Sequence, residues 1–275
     1  MPAKAQINSS KLWKAKFPKL KASDNKYTRG HLLINGSPID CTGATRLAAY
    51  AAARAGAGMV TVACDKETLP IYQKSFLSVM AKPIKAPKEF YKFIDHRKVG
   101  AVLLGPGNGK HLEVAEKVLD LLENKKLKLV LDADAISVFE DNKAALIDAL
   151  HSNCILTPHE GEFKRIFQLG SNRQASAVAA AKKCGAVIVL KGHDTIIASP
   201  TGKVVVNVNA PNTLATAGSG DVLAGIISGL FVSGMPAFEA ACAGVYIHAE
   251  CANLLGKGLI AEDLISAMPE VLESL

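Results

Sequence analysis

A chain of 275 residues can bury one large core, or at most two modest ones. With 49% hydrophobic and 21% charged residues it reads as an ordinary globular protein, which excludes a disordered chain. The net charge is +7, but the lysines before Asp24 supply much of it; beyond them basic residues are scattered among acids with little aromatic interleaving, so no nucleic-acid surface is expected.

No apolar run is long enough to span a bilayer, and the run from Val222 to Val232 is short and broken by glycine. No membrane association is expected. The N-terminus has no apolar stretch of the kind a signal peptide carries. It has lysines and no acid before Asp24, as a transit segment would, but also no arginine. The six cysteines form no C-x-x-C pair, so neither a zinc site nor a redox couple is indicated, and reduced thiols in the cytoplasm are expected.

In chain order, residues 1–25 read as a basic arm or linker without helical period, and 26–275 as one domain. Leu32 to Ile34 predicts a strand, Thr42 to Ala55 an alanine-rich helix closed by Gly56, and Met59 to Ala63 a second strand. Ala101 to Leu104 predicts a third strand, Leu112 to Leu122 a helix and Leu127 to Leu131 a fourth strand, followed by short helical segments to about Leu150. Cys154 to Leu156 continues the strands; Glu160 to Phe167 and Ala175 to Lys183 read as helices. Val187–Leu190, Thr195–Ala198 and Val204–Asn207 are close-set strands, with Ser199-Pro-Thr-Gly as a hairpin turn. The chain ends in helices over 221–233, 237–255 and 261–268, with Pro269 as a stop. Strands alternating with helices predict a mostly parallel sheet covered on both faces, with a late antiparallel hairpin. In such sheets ligands bind beyond the carboxyl ends of the strands.

The loops there carry the chemistry-bearing residues. In Ala215-Thr-Ala-Gly-Ser-Gly-Asp, small residues lead into an apolar helix. Gly218 and Gly220 let the backbone approach a ligand, and the free N–H groups of the first turn, Ser219 included, make an anion hole. Asp221 then stands where a carboxylate could take a proton from an attacking hydroxyl, or could merely cap the helix. Gly105-Pro-Gly follows a strand, and no P-loop or full G-x-G-x-x-G occurs. Thr157-Pro-His-Glu-Gly-Glu opens a helix with His159, Glu160 and Glu162, which order a metal–water shell, touch a ligand or form a capping segment. Lys191 could meet a phosphate. Asp132 and Asp134 belong to the site or begin a helix.

Taken together, Lys26-Tyr-Thr-Arg-Gly-His, Thr42-Gly-Ala-Thr-Arg, Gly56-Ala-Gly-Met-Val-Thr-Val, Gly105-Pro-Gly, Leu131-Asp-Ala-Asp, Leu156-Thr-Pro-His-Glu-Gly-Glu-Phe, Leu190-Lys-Gly-His-Asp-Thr and the Asp221 segment resemble the nucleotide-dependent NAD(P)H-hydrate dehydratases. These are a branch of the ribokinase-like superfamily. The resemblance covers Lys26 to the C-terminus. It implies a three-layer α/β/α sandwich, a homo-oligomer, and a reaction that turns the hydrated cofactors NADHX and NADPHX back into NADH and NADPH. Substrate would meet Ala44, Gly107, His159 and Asp221. The phosphoryl donor, ADP or ATP, would meet Lys191, Gly192, His193, Asp194, Thr195 and Gly220, and the bacterial branch implies ADP. Magnesium would be served by Glu162.

Two departures matter. Asn209-Ala-Pro-Asn-Thr-Leu lacks the glycine-rich lead-in of many members. Many bacterial members also carry a fused epimerase, absent from this sequence; an NAD(P)H-hydrate epimerase is the implied functional partner. The rival readings are a small-molecule kinase of the same superfamily, acting on a thiamin precursor or a sugar, and a nucleotide sensor without turnover.

Overall fold

The computed structural model describes residues 5–84 and 87–275. The first four residues of the predicted arm lie outside them. The elements run β1 (Gln6–Ile7), β2 (His31–Asn35), α1 (Thr42–Arg54), β3 (Met59–Cys64), α2 (Leu69–Ser75), β4 (Met80–Pro83) and α3 (Pro87–His96). Then come β5 (Ala101–Leu104), α4 (Leu112–Glu123), β6 (Lys128–Leu131), α5 (Asp134–Ser137), α6 (Lys143–Ala149), β7 (Cys154–Leu156), α7 (Glu160–Ile166) and α8 (Arg173–Cys184). The chain finishes with β8 (Val187–Leu190), β9 (Thr195–Ala198), β10 (Val204–Asn207), α9 (Ser219–Val232), α10 (Ala237–Leu255) and α11 (Ala261–Glu273).

One ten-stranded sheet holds the fold together, in the order β1-β10-β9-β8-β7-β6-β5-β2-β3-β4. From β4 through β8 every pairing is parallel; β9 is antiparallel to both β8 and β10. The strands are short apolar runs because both faces are covered. Leu32 and Ile34 point into a core shared with α1, α9, α10 and α11, while Leu33 points into the opposite core beneath α3, α4, α6, α7 and α8. The period-2 side-chain alternation feeds both cores from one strand. This is the expected three-layer sandwich with its late hairpin.

Helices α9 and α10 are apolar almost all round because they are buried almost all round. Among the described residues no helix is long and apolar enough to cross a membrane. Alanine-rich α1 packs closely on α9, where a Cβ on Gly225 would come within 2.3 Å of the Ala48 carbonyl oxygen. That seam fixes where the N-terminus of α9 emerges.

One reading needs correction. The predicted stop at Pro269 does not stop the helix: α11 runs on to Glu273. Pro269 sits on the exposed face, where water can satisfy the carbonyl it leaves unpaired, while Met268 and Val271 anchor the last turn inside. The segment before residue 26, read as a basic arm or linker, is tied into the domain at two points. Gln6 and Ile7 pair with Val205 and Val206 at the sheet edge, and Trp13 is buried against Phe17 and Tyr246.

Candidate active site

The strand order reverses between β5 and β2, the switch point at which open α/β sheets leave a crevice. The loops after both strands are tied together there. Asn35 Nδ2 donates to Asn108 Oδ1 at 2.9 Å, and the same oxygen accepts the Gly105 N–H at 2.9 Å. Ser37 Oγ donates to the Pro106 carbonyl at 2.7 Å. Gly107, at φ +62°, lies against Cys41, so a side chain there would meet the Cys41 Cβ at 3.0 Å. Ala44 is one turn further along, at the start of α1.

On the other side of the crevice the carboxyl ends of β6, β7 and β8 converge. Lys191 Nζ lies 2.8 Å from Asp132 Oδ1, and Thr157 Oγ1 donates to the same oxygen at 2.7 Å. Burial alone would lower the Lys191 ammonium, but Asp132, Glu162 and Asp221 around it hold it raised. The Lys191 backbone N–H donates to the Pro158 carbonyl at 2.8 Å, which seats the 191–194 turn beside His159. Asp134 Oδ2 accepts the Gly109 N–H at 2.8 Å, so this acid braces the loop after β5.

His159 caps α7. Its Nδ1 accepts the Glu162 N–H at 3.2 Å, and Glu162 Oε2 accepts the His159 N–H at 2.8 Å. The segment read as a metal–water shell, a ligand contact or a capping segment forms a reciprocal capping box, with Glu162 buried. Among the described residues no three His, Cys, Asp or Glu side chains converge as a cage for a metal.

Asp221 stands in the first turn of α9, between these two halves. Gly218, at φ +85°, makes the turn into the helix; a side chain there would collide with Leu47. Burial is the main cause that pushes the Asp221 carboxyl up to about 7; Asp132 adds to it, Lys191 opposes it, and Asp134 and Glu162 contribute less. Burial first, then the charge of Asp40, raises the Cys41 thiol, with smaller additions from Asp134 and Asp221 across the crevice.

Next to Asp221 opens a cavity of about 520 Å³ lined by Lys191, Gly192, His193, Thr195, Asn207, Ala210, Pro211, Asn212, Leu214, Ala215, Thr216, Ser219, Gly220, Leu223, Val245, His248 and Ala249. Four of the five residues from Lys191 to Thr195 line it, together with Ser219 and Gly220. Asp194 does not: it borders a neighbouring groove with Asn172 and Arg173, and its carboxylate lies 3.1 Å from His193 Nδ1. Sequence reasoning missed Asn207, Val245, His248 and Ala249, since α10 and β10 carry no motif and only tertiary packing brings them to the cavity. His248 is buried, lies 3.1 Å from Ser219 Oγ, and is pushed down to about 4 by burial, so it stays neutral.

This arrangement has the parts for group transfer to a hydroxyl: helix N–H donors, one lysine and a carboxylate with a proton affinity near neutrality. A family model described as NAD(P)H-hydrate dehydratase matches residues 31–269. The chain belongs to the NAD(P)H-hydrate dehydratase family. Among its relatives in that family, the ADP-dependent (S)-NAD(P)H-hydrate dehydratase of Neisseria meningitidis is 35% identical over 92% of this chain and 89% of the relative. The ADP/ATP-dependent NAD(P)H-hydrate dehydratase of Bacillus subtilis, co-crystallised with ATP/Mg2+, superposes with a TM-score of 0.85 at 26% identity, covering 99% of both chains. A ribokinase-like superfamily protein of Enterococcus faecalis superposes with a TM-score of 0.85 at 23% identity, covering 98% of this chain and 96% of its own, which establishes the ribokinase-like fold. Bifunctional relatives are longer. The chain spans about half of the bifunctional NAD(P)H-hydrate repair enzyme Nnr of Moorella thermoacetica, at 32% identity over 95% of this chain and 53% of the relative.

Proposed function

We propose that this chain consumes ADP or ATP to dehydrate NADHX and NADPHX, returning NADH and NADPH, as a carbon–oxygen lyase of metabolite repair. The observation that carries this reading is Asp221 at the N-terminus of α9, held near neutrality beside Lys191 and next to a cavity of nucleotide size. The relatives named as dehydratases support it.

In the proposed reaction Asp221 accepts the proton of the substrate's C6 hydroxyl as that oxygen attacks the terminal phosphorus of the nucleotide. The P–O bond to the nucleotide breaks, and Gly218, Ser219 and Gly220 with Lys191 stabilise the transferring charge. Phosphate then leaves C6 with its bonding pair, pushed out by the ring nitrogen. Loss of a proton from C5 restores the dihydropyridine. Lys191, Gly192, His193, Thr195 and Gly220 receive the donor; Asp194, in the adjacent groove, reaches it less directly. Ala44, Gly107 and His159 frame the hydrated ring.

Magnesium fits this reading. It keeps several waters and takes one or two carboxylates besides phosphate oxygens, so a protein cage of three ligands is not required. Glu162 would hold it, and the ion would neutralise phosphate charge. Glu162 would first exchange its capping contacts with His159. The proposal sets the chain in the cytoplasm, a reducing setting that suits its six free thiols. A homo-oligomer and a partner epimerase complete the proposal.

The test is recovery of the reduced-nicotinamide absorbance from NADHX with magnesium and ADP or ATP. Recovery that requires a nucleotide supports the dehydratase and identifies the better donor. A folded chain that restores no absorbance with either nucleotide returns the choice to a small-molecule kinase or a sensor.

A further inference from the structure

The first described residues reach the wall of the donor cavity. The Asn8 N–H donates to the Val206 carbonyl at 2.8 Å, continuing the pairing of β1 with β10. Its buried side chain then leaves the ladder. Asn8 Nδ2 donates to Asn207 Oδ1 at 2.8 Å and to the Cys242 carbonyl of α10 at 2.8 Å. Asn207 is fully buried, ends β10 and forms part of the cavity wall. Its Nδ2 donates to Asn209 Oδ1 at 2.6 Å, and Asn209 in turn donates to Glu250 of α10. Asn253, one turn on, donates to the Asn209 carbonyl at 2.9 Å. Beyond Asn209 the chain runs through Ala210, Pro211, Asn212 and Leu214, which form the lip of the cavity.

An asparagine kept only as a fastener would be poorly chosen here. Asn8 Oδ1 is buried without a partner among the described residues, and an unpaired buried carbonyl offsets much of what the two donated bonds return. The geometry accounts for the residue in another way. Two donors on one nitrogen, aimed at β10 and α10 together, fix the angle at which the lip leaves the sheet.

We propose that Asn8 is a positioning residue of the donor site, acting through Asn207 to hold the 208–216 lip ready for a nucleoside polyphosphate. The proposal rests on the reading of that cavity as the nucleotide site. It makes the N-terminal strap part of the site although it lies far away in sequence.

The test compares the full chain with Asn8→Ala, Asn207→Ala and the double variant. Asn8→Ala raises the KM for ADP or ATP about tenfold and leaves the KM for NADHX, at saturating nucleotide, within twofold. The double variant is no worse than Asn207→Ala alone, because Asn8 acts through Asn207. An unchanged nucleotide KM, or effects that multiply in the double variant, overturns the proposal. Amide exchange gives a readout without turnover: residues 208–216 exchange faster in ligand-free Asn8→Ala than in the wild type, and equal rates overturn the proposal. Asn8→Ser, a smaller change that keeps a donor, carries both measurements if Asn8→Ala does not fold. A wild-type chain without nucleotide-dependent turnover counts against the donor-site reading, while the exchange comparison still decides whether Asn8 holds the lip.

Discussion

Lys191 Nζ lies 2.8 Å from Asp132 Oδ1, and this pair joins the carboxyl ends of two strands that are not neighbours in the sheet. Thr157, at the end of the strand between them, donates to the same carboxylate oxygen. The lysine is therefore held by the sheet itself and faces Asp221 from a fixed direction. Its charge lowers the proton affinity of Asp221 while burial and Asp132 raise it.

That balance gives a signed prediction for Lys191→Met. Removing the cation frees both Asp132 and Asp221 from their counter-charge, so the Asp221 value rises above the present value of about 7. The rising limb of kcat/KM against pH should move to more alkaline pH. Stability should fall by about 3 kcal/mol, because Asp132 is left buried without its cation. A pH–rate profile and a denaturant titration check both; a limb that stays in place contradicts the assigned coupling.

Asp221→Asn should lower turnover by at least about a hundredfold, the usual worth of a positioned base, and leave nucleotide binding within a few-fold. It should also change stability in a pH-dependent way. The folded value of about 7 lies above the ordinary 3.8, so the folded wild type binds its proton more tightly than the unfolded chain. Wild-type stability therefore declines as pH rises from about 4 to about 7 through this group. The Asn variant lacks that decline. Its melting temperature should exceed the wild type's at pH 8, and the gap should close near pH 4. A gap of constant size would contradict the raised value.

Two glycines of the site separate folding from binding. A Cβ on Gly105 would come within 1.6 Å of the Asp132 carbonyl oxygen, and its φ is +120°. Gly105→Ala should cost about 3 kcal/mol or more and move the loop that holds Asn108. A Cβ on Gly220 would meet only Lys191 Nζ, at 3.5 Å, the movable end of a side chain. Gly220→Ala should melt within about two degrees of the wild type, since alanine suits a helix better, yet raise the nucleotide KM about tenfold. Thermal melts beside steady-state kinetics decide; equal losses of stability in both variants would contradict the account.

Much of this was legible in the sequence because both faces of the sheet are covered. Strands such as Val187–Leu190 become unbroken apolar runs, and amphipathic α4 announces its one buried side. The region from Asp65 to Gly100 was not legible. There α2 has only seven residues with a proline in its first turn, and β4 is an edge strand carrying Lys82 and Pro83 exposed. Neither gives a periodic signal long enough to read. The two-residue β1 is shorter than any pattern and exists only because β10 offers a free edge. In the candidate site, Gly218, Gly220 and Asp221 could be singled out because backbone approach and helix entry demand particular residue types. The family resemblance groups Asp194 with its neighbours, whereas in the 191–194 turn it borders the groove beside the cavity.

The central claim is that the nucleotide takes part covalently, with the substrate oxygen attacking phosphorus. The most direct measurement starts from NADHX carrying oxygen-18 in its C6 hydroxyl, turned over with unlabelled nucleotide in ordinary water. The account predicts that the label appears in inorganic phosphate, one labelled oxygen for each NADH formed. Label released as water, with the nucleotide consumed or not, would mean that the hydroxyl leaves without being phosphorylated and would contradict the role given to Asp221.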